Sequence, residues 1–419
     1  MMGGHPLVLT AVALLVAAAA TGQEAAMSLQ TSRLLAEGTQ TVRIVCFGDS
    51  ITGVYYHPGG RRAWPEMLGL ALRRLYPAAQ LEIVNAGLSG DTTVGALARM
   101  EAEVLQHRPQ LVVVMFGMND VTGVPPETYR ANLTQIIQRC RDQAAEVVLC
   151  TPNSIYPEDE ARPVERLAAY AEIVRAVGAT QGVPVADCYR AYEAIRAADR
   201  RAWMGLMSET IHPNMRGHKV IAEEVAWVVS GRRVWLRDVA PVSPCLTRTR
   251  ERMDRGEVVK VVAMPPYDAM VEAALRAVRP QARVQVTTWP VEGQSLAEIE
   301  REAQARGWPT LEPAPPEQRP DLVVIAVPAG AWAGGDEQFY RSYSWVLNWS
   351  LSFGRAEWDC IAILPSVAKP DLDQGERAAE DFAREVVEAQ DIGWLARSDG
   401  DAAPAEELLA RWLKQEVGL

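Results

Sequence analysis

The chain has 419 residues, 48% hydrophobic and 23% charged, an ordinary globular composition with enough apolar material for two cores. Its formal net charge of -11 argues against a nucleic acid or an anionic membrane surface as partner, because both are bound through an excess of Lys and Arg. Six cysteines are too dilute for a disulfide framework and none stands at metal-ligand spacing, although a bridge among Cys140, Cys188 and Cys245 stays open.

Residues 7–20 are apolar or small apart from Thr10, a run shorter than the ~20 residues that span a bilayer. Small residues at Ala20 and Gly22 suit a cleavage site, so 1–23 is expected to be an export signal, with an uncleaved anchor or an unfolded tail as alternatives. The mature protein is then periplasmic or extracellular, with no stable membrane insertion once the signal is removed.

From there, short Val- and Ile-rich runs alternate with longer segments of helical periodicity. Strands are expected at 42–47, 81–85, 111–116, 147–151 and 183–187, and helices at 64–75, 93–105, 129–140, 167–177 and 220–228. Strands apolar on both faces that alternate with helices predict a parallel sheet covered on both sides, so 24–232 is expected to be a doubly wound, flavodoxin-like α/β domain. A basic, Pro-containing stretch, 233–256, is read as a connector. The alternation then resumes over 257–419, with strands at 258–264, 284–288, 322–327 and 360–364, and helices near 269–278, 296–305, 377–389 and 405–417. The halves share a rhythm: Arg108-Pro109-Gln110-Leu111 matches Arg319-Pro320-Asp321-Leu322, which points to a diverged second copy.

Chemistry concentrates in the first half. Val45-Cys46-Phe47-Gly48-Asp49-Ser50 ends a buried strand in a glycine turn and presents a serine at the carboxyl edge, where open parallel sheets bind ligands. A serine hydroxyl needs a base, and the chain has only five histidines. His5 falls in the export signal, His107 at a helix end and His218 inside a helix, whereas His57 is a loop residue near Ser50. His212, in Glu209-Thr210-Ile211-His212-Pro213, is held out of helical geometry by the proline and is the best placed base. Asp49 reads as a turn-stabilising side chain and, with Tyr55, Tyr56, His57 and Trp64, as a candidate for the pocket lining.

Together, the Gly-Asp-Ser turn, Asn85-Ala86-Gly87-Leu88-Ser89-Gly90-Asp91, Gly117-Met118-Asn119-Asp120 and His212-Pro213 resemble, in order, the four signature blocks of the GDSL/SGNH hydrolases. That resemblance implies a serine esterase with Ser50 as nucleophile, His212 as base, and an oxyanion hole made by the Ser50 N–H, the Gly87 N–H and the Asn119 side chain. Donors aimed at a developing oxyanion supply several kcal/mol. The family usually has Asp three residues before its histidine, where this chain has Glu209. A glutamate can hold the imidazole, or it can point to solvent and leave a Ser–His dyad. No metal or organic cofactor is required.

The second half lacks these groups. Pro266-Tyr267 stands where Asp49-Ser50 does, Pro328 and Gly330 replace Gly117 and Asn119, and no histidine follows His218. Its aromatic stretch, 340–358, is read as packing for the first domain, and secondarily as a sugar-stacking platform built on Trp345 and Trp349. The resemblance and the export signal imply hydrolysis of O-acetyl groups on carbohydrate. The alternatives are a lysophospholipase or thioesterase acting on longer acyl chains, and a non-catalytic carbohydrate-binding protein.

Overall fold

The structure is a computed structural model that describes residues 29–53, 59–306, 319–331, 336–352 and 357–418. The export signal expected at 1–23 lies outside the described residues, as do Tyr55, Tyr56 and His57. The chain divides into two compact units, residues 1–53 with 62–238, and residues 54–61 with 239–419. No helix among the described residues is long and apolar enough to cross a membrane.

The first unit opens with α1 (Gln30–Glu37), unforeseen from the sequence, followed by β1 (Thr41–Gly48), α2 (Trp64–Leu75), β2 (Gln80–Gly87), α3 (Thr93–Glu103) and β3 (Leu111–Met115). Next come α4 (Asp120–Gly123), α5 (Pro126–Asp142), β4 (Glu146–Cys150), α6 (Val164–Gln181), β5 (Val185–Ala186), α7 (Cys188–Ala198), α8 (Arg200–Met204) and α9 (Met215–Ser230). The sheet is parallel in the order β2-β1-β3-β4-β5. All five residues of β3 are buried, as a strand covered on both faces must be. The edge strand β2 instead alternates between exposed and half-buried positions over its first four residues.

The sheet order brings three loops together. β1 lies between β2 and β3, with Gly48 in register with Gly87 on one side and Met115 on the other. The segments that follow these three strands therefore leave the same edge of the sheet, at the point where the strand order reverses.

The second unit contains α10 (Thr247–Asp254), β6 (Val258–Ala263), α11 (Tyr267–Val278), β7 (Arg283–Thr288), α12 (Leu296–Arg306), β8 (Leu322–Ile325) and α13 (Asp336–Ser350). It closes with β9 (Asp359–Ile363), α14 (Gln374–Ala389), β10 (Gly393–Leu395) and α15 (Ala405–Glu416). Its sheet runs β10-β9-β8-β6-β7, all parallel, which is the order of the first sheet counted from its own first strand. The reading of 233–256 as a connector needs correcting: residues 239–256 belong to the second unit, and α10 lies among them. Arg-rich composition hid that helix, because its buried residues are only Thr249 and Met253. Phe339, Tyr340 and Tyr343 are buried inside this unit, with Phe339 and Tyr340 against Phe382, while Trp345 and Trp349 stack on each other with ring centroids 5.6 Å apart. All six cysteines are free thiols, so the bridge left open among Cys140, Cys188 and Cys245 does not form.

Candidate active site

Ser50 sits in the turn after β1, where the Asp49 carboxylate accepts the Ile51 N–H at 2.9 Å and the Asp49 carbonyl accepts the N–H groups of Thr52 and Gly53. Asp49 thus holds the turn, as expected from sequence. Its carboxyl is 1% exposed, and burial, opposed by the Ile51 N–H, pushes its pKa up to about 7. Gly48 cannot be another residue, because a β-carbon there would lie 2.5 Å from the Met115 carbonyl oxygen.

His212 comes from the loop before α9, 162 positions after Ser50, and places Nε2 2.9 Å from the Ser50 Oγ. Its Nδ1 lies 2.5 Å from Glu209 Oε1. The same oxygen accepts the backbone N–H groups of His212 at 2.7 Å and Ile211 at 3.2 Å. Glu209 therefore turns back on its own loop, with its side chain 10% exposed, instead of reaching for solvent. A carboxylate on Nδ1 fixes the ring proton there and leaves Nε2 to accept from serine. The extra methylene relative to aspartate is absorbed by this folded-back conformation.

Several residues that shape this loop carried no signal in the sequence. Asn153, after β4, donates its side-chain amide to the Ile211 carbonyl, and Tyr156 donates its N–H to Thr210. Asn214 caps α9 by accepting from the N–H groups of Arg216 and Gly217, and its amide donates to the carbonyls of Gly205 and Met207. Trp203 is fully buried against the Tyr156 ring, 4.6 Å between centroids, with its indole N–H on the Ser154 hydroxyl.

Of the three expected oxyanion donors, the Ser50 N–H lies in the nucleophile turn itself, and Gly87 and Asn119 belong to the strand ends on either side of β1. The Ser50 N–H has no partner among the described residues. Gly87 ends β2, its N–H 3.1 Å from the Asn85 side-chain oxygen, and a β-carbon on it would meet the Gly53 nitrogen at 2.1 Å. Asn119 follows β3, and its amide is oriented from both ends. Nδ2 donates to the Asp91 carbonyl at 3.0 Å, and Oδ1 accepts from Arg162 Nη2 at 3.1 Å. One amide N–H of Asn119 remains for a ligand. Arg162 is itself held by Asp159 and by the Met118 carbonyl.

Trp64 departs from expectation. It does not line an open pocket but is fully buried at the start of α2, its indole N–H on Thr52 Oγ1 and its backbone N–H on His218 Nδ1. A large ring at the first turn of an amphipathic helix fills the core beside the nucleophile turn. His218 lies inside α9, 3% exposed. Among the described residues, no group of three or more His, Cys, Asp or Glu side chains is placed to hold a metal ion.

Residues 46–220 match the family model described as the GDSL-like Lipase/Acylhydrolase family. This part of the chain is a GDSL-like lipase/acylhydrolase domain. The acylhydrolase domain is 34% identical over 117 residues to an arylesterase of Vibrio mimicus, covering 28% of this chain and 57% of that one. It is 24% identical over 162 residues to an acetylxylan esterase of Geobacillus stearothermophilus, covering 36% and 73%. With the thioesterase 1/protease 1/lysophospholipase L1 of Escherichia coli K12 it shares 34% over 107 residues, 25% and 49% of the two chains. The chain thus spans about half the length of two of these relatives and about three quarters of the other. Among solved structures, it is similar to the acetylxylan esterase of Geobacillus stearothermophilus (21% identity, TM-score 0.39, 47% of this chain and 97% of that one). A lipase/acylhydrolase from Enterococcus faecalis gives 28% identity and TM-score 0.40, covering 47% and 99%.

Proposed function

We propose that the protein hydrolyses carboxylic esters through an acyl-enzyme on Ser50. The observation that carries this reading is the continuous chain from Ser50 Oγ to His212 Nε2 at 2.9 Å, and from His212 Nδ1 to Glu209 Oε1 at 2.5 Å. Ser50 Oγ attacks the acyl carbon while its proton passes to His212 Nε2. The oxyanion is stabilised by the N–H groups of Ser50 and Gly87 and the side chain of Asn119. His212 then protonates the departing alcohol, and water, deprotonated by His212, releases the acid. Glu209 keeps the imidazole in the right tautomer and stabilises the imidazolium. An assembled triad argues against a purely carbohydrate-binding role.

The proposed substrate is a short acyl ester, an O-acetyl group on carbohydrate, by analogy with the acetylxylan esterase relative. One observation favours the alternative of a longer or aromatic acyl group. Leu88 and Val94, beside the Gly87 turn, are 41% and 54% exposed and make a partly apolar surface there. We also propose that the protein is exported, on the strength of the apolar run over 7–20.

A series of p-nitrophenyl esters from acetate to dodecanoate, run beside acetylated xylan with Ser50→Ala as control, tests the assignment. Activity abolished in Ser50→Ala and greatest on acetyl substrates is expected. A rate that rises with acyl length overturns the acetyl reading, and activity that survives Ser50→Ala overturns the nucleophile. Fractionation of the native host, with the mass of the recovered amino terminus, tests export.

A further inference from the structure

Among the described residues of the acylhydrolase domain, Arg99 on α3 is a largely buried cation outside the triad, its side chain 10% exposed. Its Nε donates to Asp91 Oδ2 at 2.7 Å, Nη1 to the Ala86 carbonyl at 2.8 Å and Nη2 to the Gly48 carbonyl at 2.9 Å. Nη1 also reaches Glu103 at 2.8 Å, one helical turn along α3, and the guanidinium plane lies 4.6 Å from the Phe47 ring centroid. Burying a guanidinium costs free energy unless its donors are satisfied. Here four of the five N–H groups are used, and two of them go to main-chain carbonyls at the ends of neighbouring strands.

Those two carbonyls are not arbitrary. The Ala86 carbonyl belongs to the peptide whose N–H is that of Gly87, and the Gly48 carbonyl belongs to the peptide that opens the nucleophile turn. Because a peptide group is planar and conjugated, fixing its oxygen fixes the direction of its N–H. A charged donor on the oxygen also polarises the group and strengthens the N–H as a donor. The partner carboxylate extends the same control. Asp91 Oδ1 accepts the Thr92 N–H at 2.9 Å, which pins the loop, and the Asp91 carbonyl accepts from Asn119 Nδ2. A β-carbon at Gly95 would lie 2.0 Å from Asp91 Oδ1, so the helix leaves room for this carboxylate and for little else.

We infer that Arg99, held by Asp91, is a positioning residue of the oxyanion hole, aligning the Gly87 N–H and, through Asp91, the Asn119 amide with the turn that presents Ser50. The inference rests on the Ser50 acyl-enzyme reading. It requires a planar fork that reaches two carbonyls and a carboxylate at once. Lysine carries the charge but not the fork, so a lysine here cannot align both strand ends.

The test uses the full chain, with phenyl acetate and its thiono counterpart, in which sulfur replaces the carbonyl oxygen. Sulfur is larger and a weaker acceptor, so the oxo-to-thiono rate ratio reads the hole itself. In Arg99→Lys and Arg99→Ala, kcat on the oxoester is expected to fall about 10- to 100-fold, less than or comparable to the loss of a whole oxyanion donor, with KM within threefold. The oxo-to-thiono ratio is expected to shrink at least fivefold. Asp91→Asn is expected to move the ratio in the same direction, and it decides the matter with Arg99→Lys if Arg99→Ala does not fold. An unchanged ratio in the folded variants, with both esters slowed equally or neither slowed, overturns the inference alone. Hydrolysis that persists in Ser50→Ala, or no hydrolysis of the oxoester by the unmodified protein, overturns the acyl-enzyme reading and this inference with it.

Discussion

Glu209 does more with one oxygen than a triad acid needs to do. Oε1 meets the His212 ring and two backbone N–H groups of the same loop, so the carboxylate both orients the base and shapes the turn that carries it. Glu209→Gln keeps the shape and loses the charge, and kcat is expected to fall by about 10² to 10⁴. Glu209→Asp keeps the charge on a shorter arm and is expected to retain more activity than Glu209→Gln. Steady-state kinetics on a short p-nitrophenyl ester compare the two, and a Glu209→Gln enzyme within threefold of the parent would remove Glu209 from the triad. Ser50, Gly87 and Asn119 were legible in the sequence because their motifs sit at strand ends, where a parallel sheet must place its ligand groups, and His212 because few histidines compete with it and Pro213 holds it out of a helix. Arg162 and Asn153 were not. Each reaches the site across the fold, 43 and 58 positions from the residue it orients, and no local pattern marks a side chain whose partner is set by tertiary packing. Trp64 misled for the converse reason: an aromatic near a nucleophile in sequence reads as pocket lining, although its helix turns it into the core.

Among the elements, α9 carries both ends of a constraint. Its N-cap, Asn214, fixes the loop that delivers His212, and further along it Glu223 is 7% exposed and accepts the Leu236 N–H at 2.6 Å. Burial is the largest influence on Glu223 and raises its carboxyl from 4.5 to about 7. A raised carboxyl binds its proton more tightly in the folded state than in the unfolded one. The stability this contributes is therefore complete below about pH 4.5 and is lost as pH climbs toward 7. Glu223→Gln imitates the protonated form. Relative to the parent, it is expected to gain on the order of 2 kcal/mol between pH 4.5 and pH 8, read from urea denaturation midpoints at the two pH values. A difference that does not change with pH would mean that Glu223 titrates normally. Strands were easier to read than helices here. The Val- and Ile-rich runs marked nine of the ten strands among the described residues, whereas α1, α7 and α10 lie in polar stretches whose apolar faces are too narrow to register as a period.

Across the whole molecule, two sheets share one strand order, and only the first ends its strands in reactive groups. Tyr267 occupies the position that Ser50 holds in the first sheet, and its ring is 2% exposed at the head of α11. Burial raises its hydroxyl well above the ordinary tyrosine range, so it stays a neutral phenol. A fluorophosphonate probe is accordingly expected to label one site per chain and none in Ser50→Ala, as counted by intact mass. A second label on the unmodified chain, or any label on Ser50→Ala, would place a nucleophile elsewhere. The repeat of the strand order was legible from the paired Arg-Pro-Gln/Asp-Leu segments. The division of the units was not, because residues 54–61 belong with the second unit although they follow the nucleophile directly.

That division has a consequence for biosynthesis. Arg61 forms an ion pair with Asp359, which is 2% exposed and stands 298 positions later in the chain. Ribosomes add about 5 to 20 residues per second, so Arg61 precedes Asp359 by roughly 15 to 60 seconds, and for about 7 to 30 seconds of that the nucleophile and its histidine are both made while the anchor of the adjoining segment does not yet exist. The nascent protein holds Arg61 without this carboxylate through most of its own translation, and only the last sixth of the message supplies the residue that ends the wait.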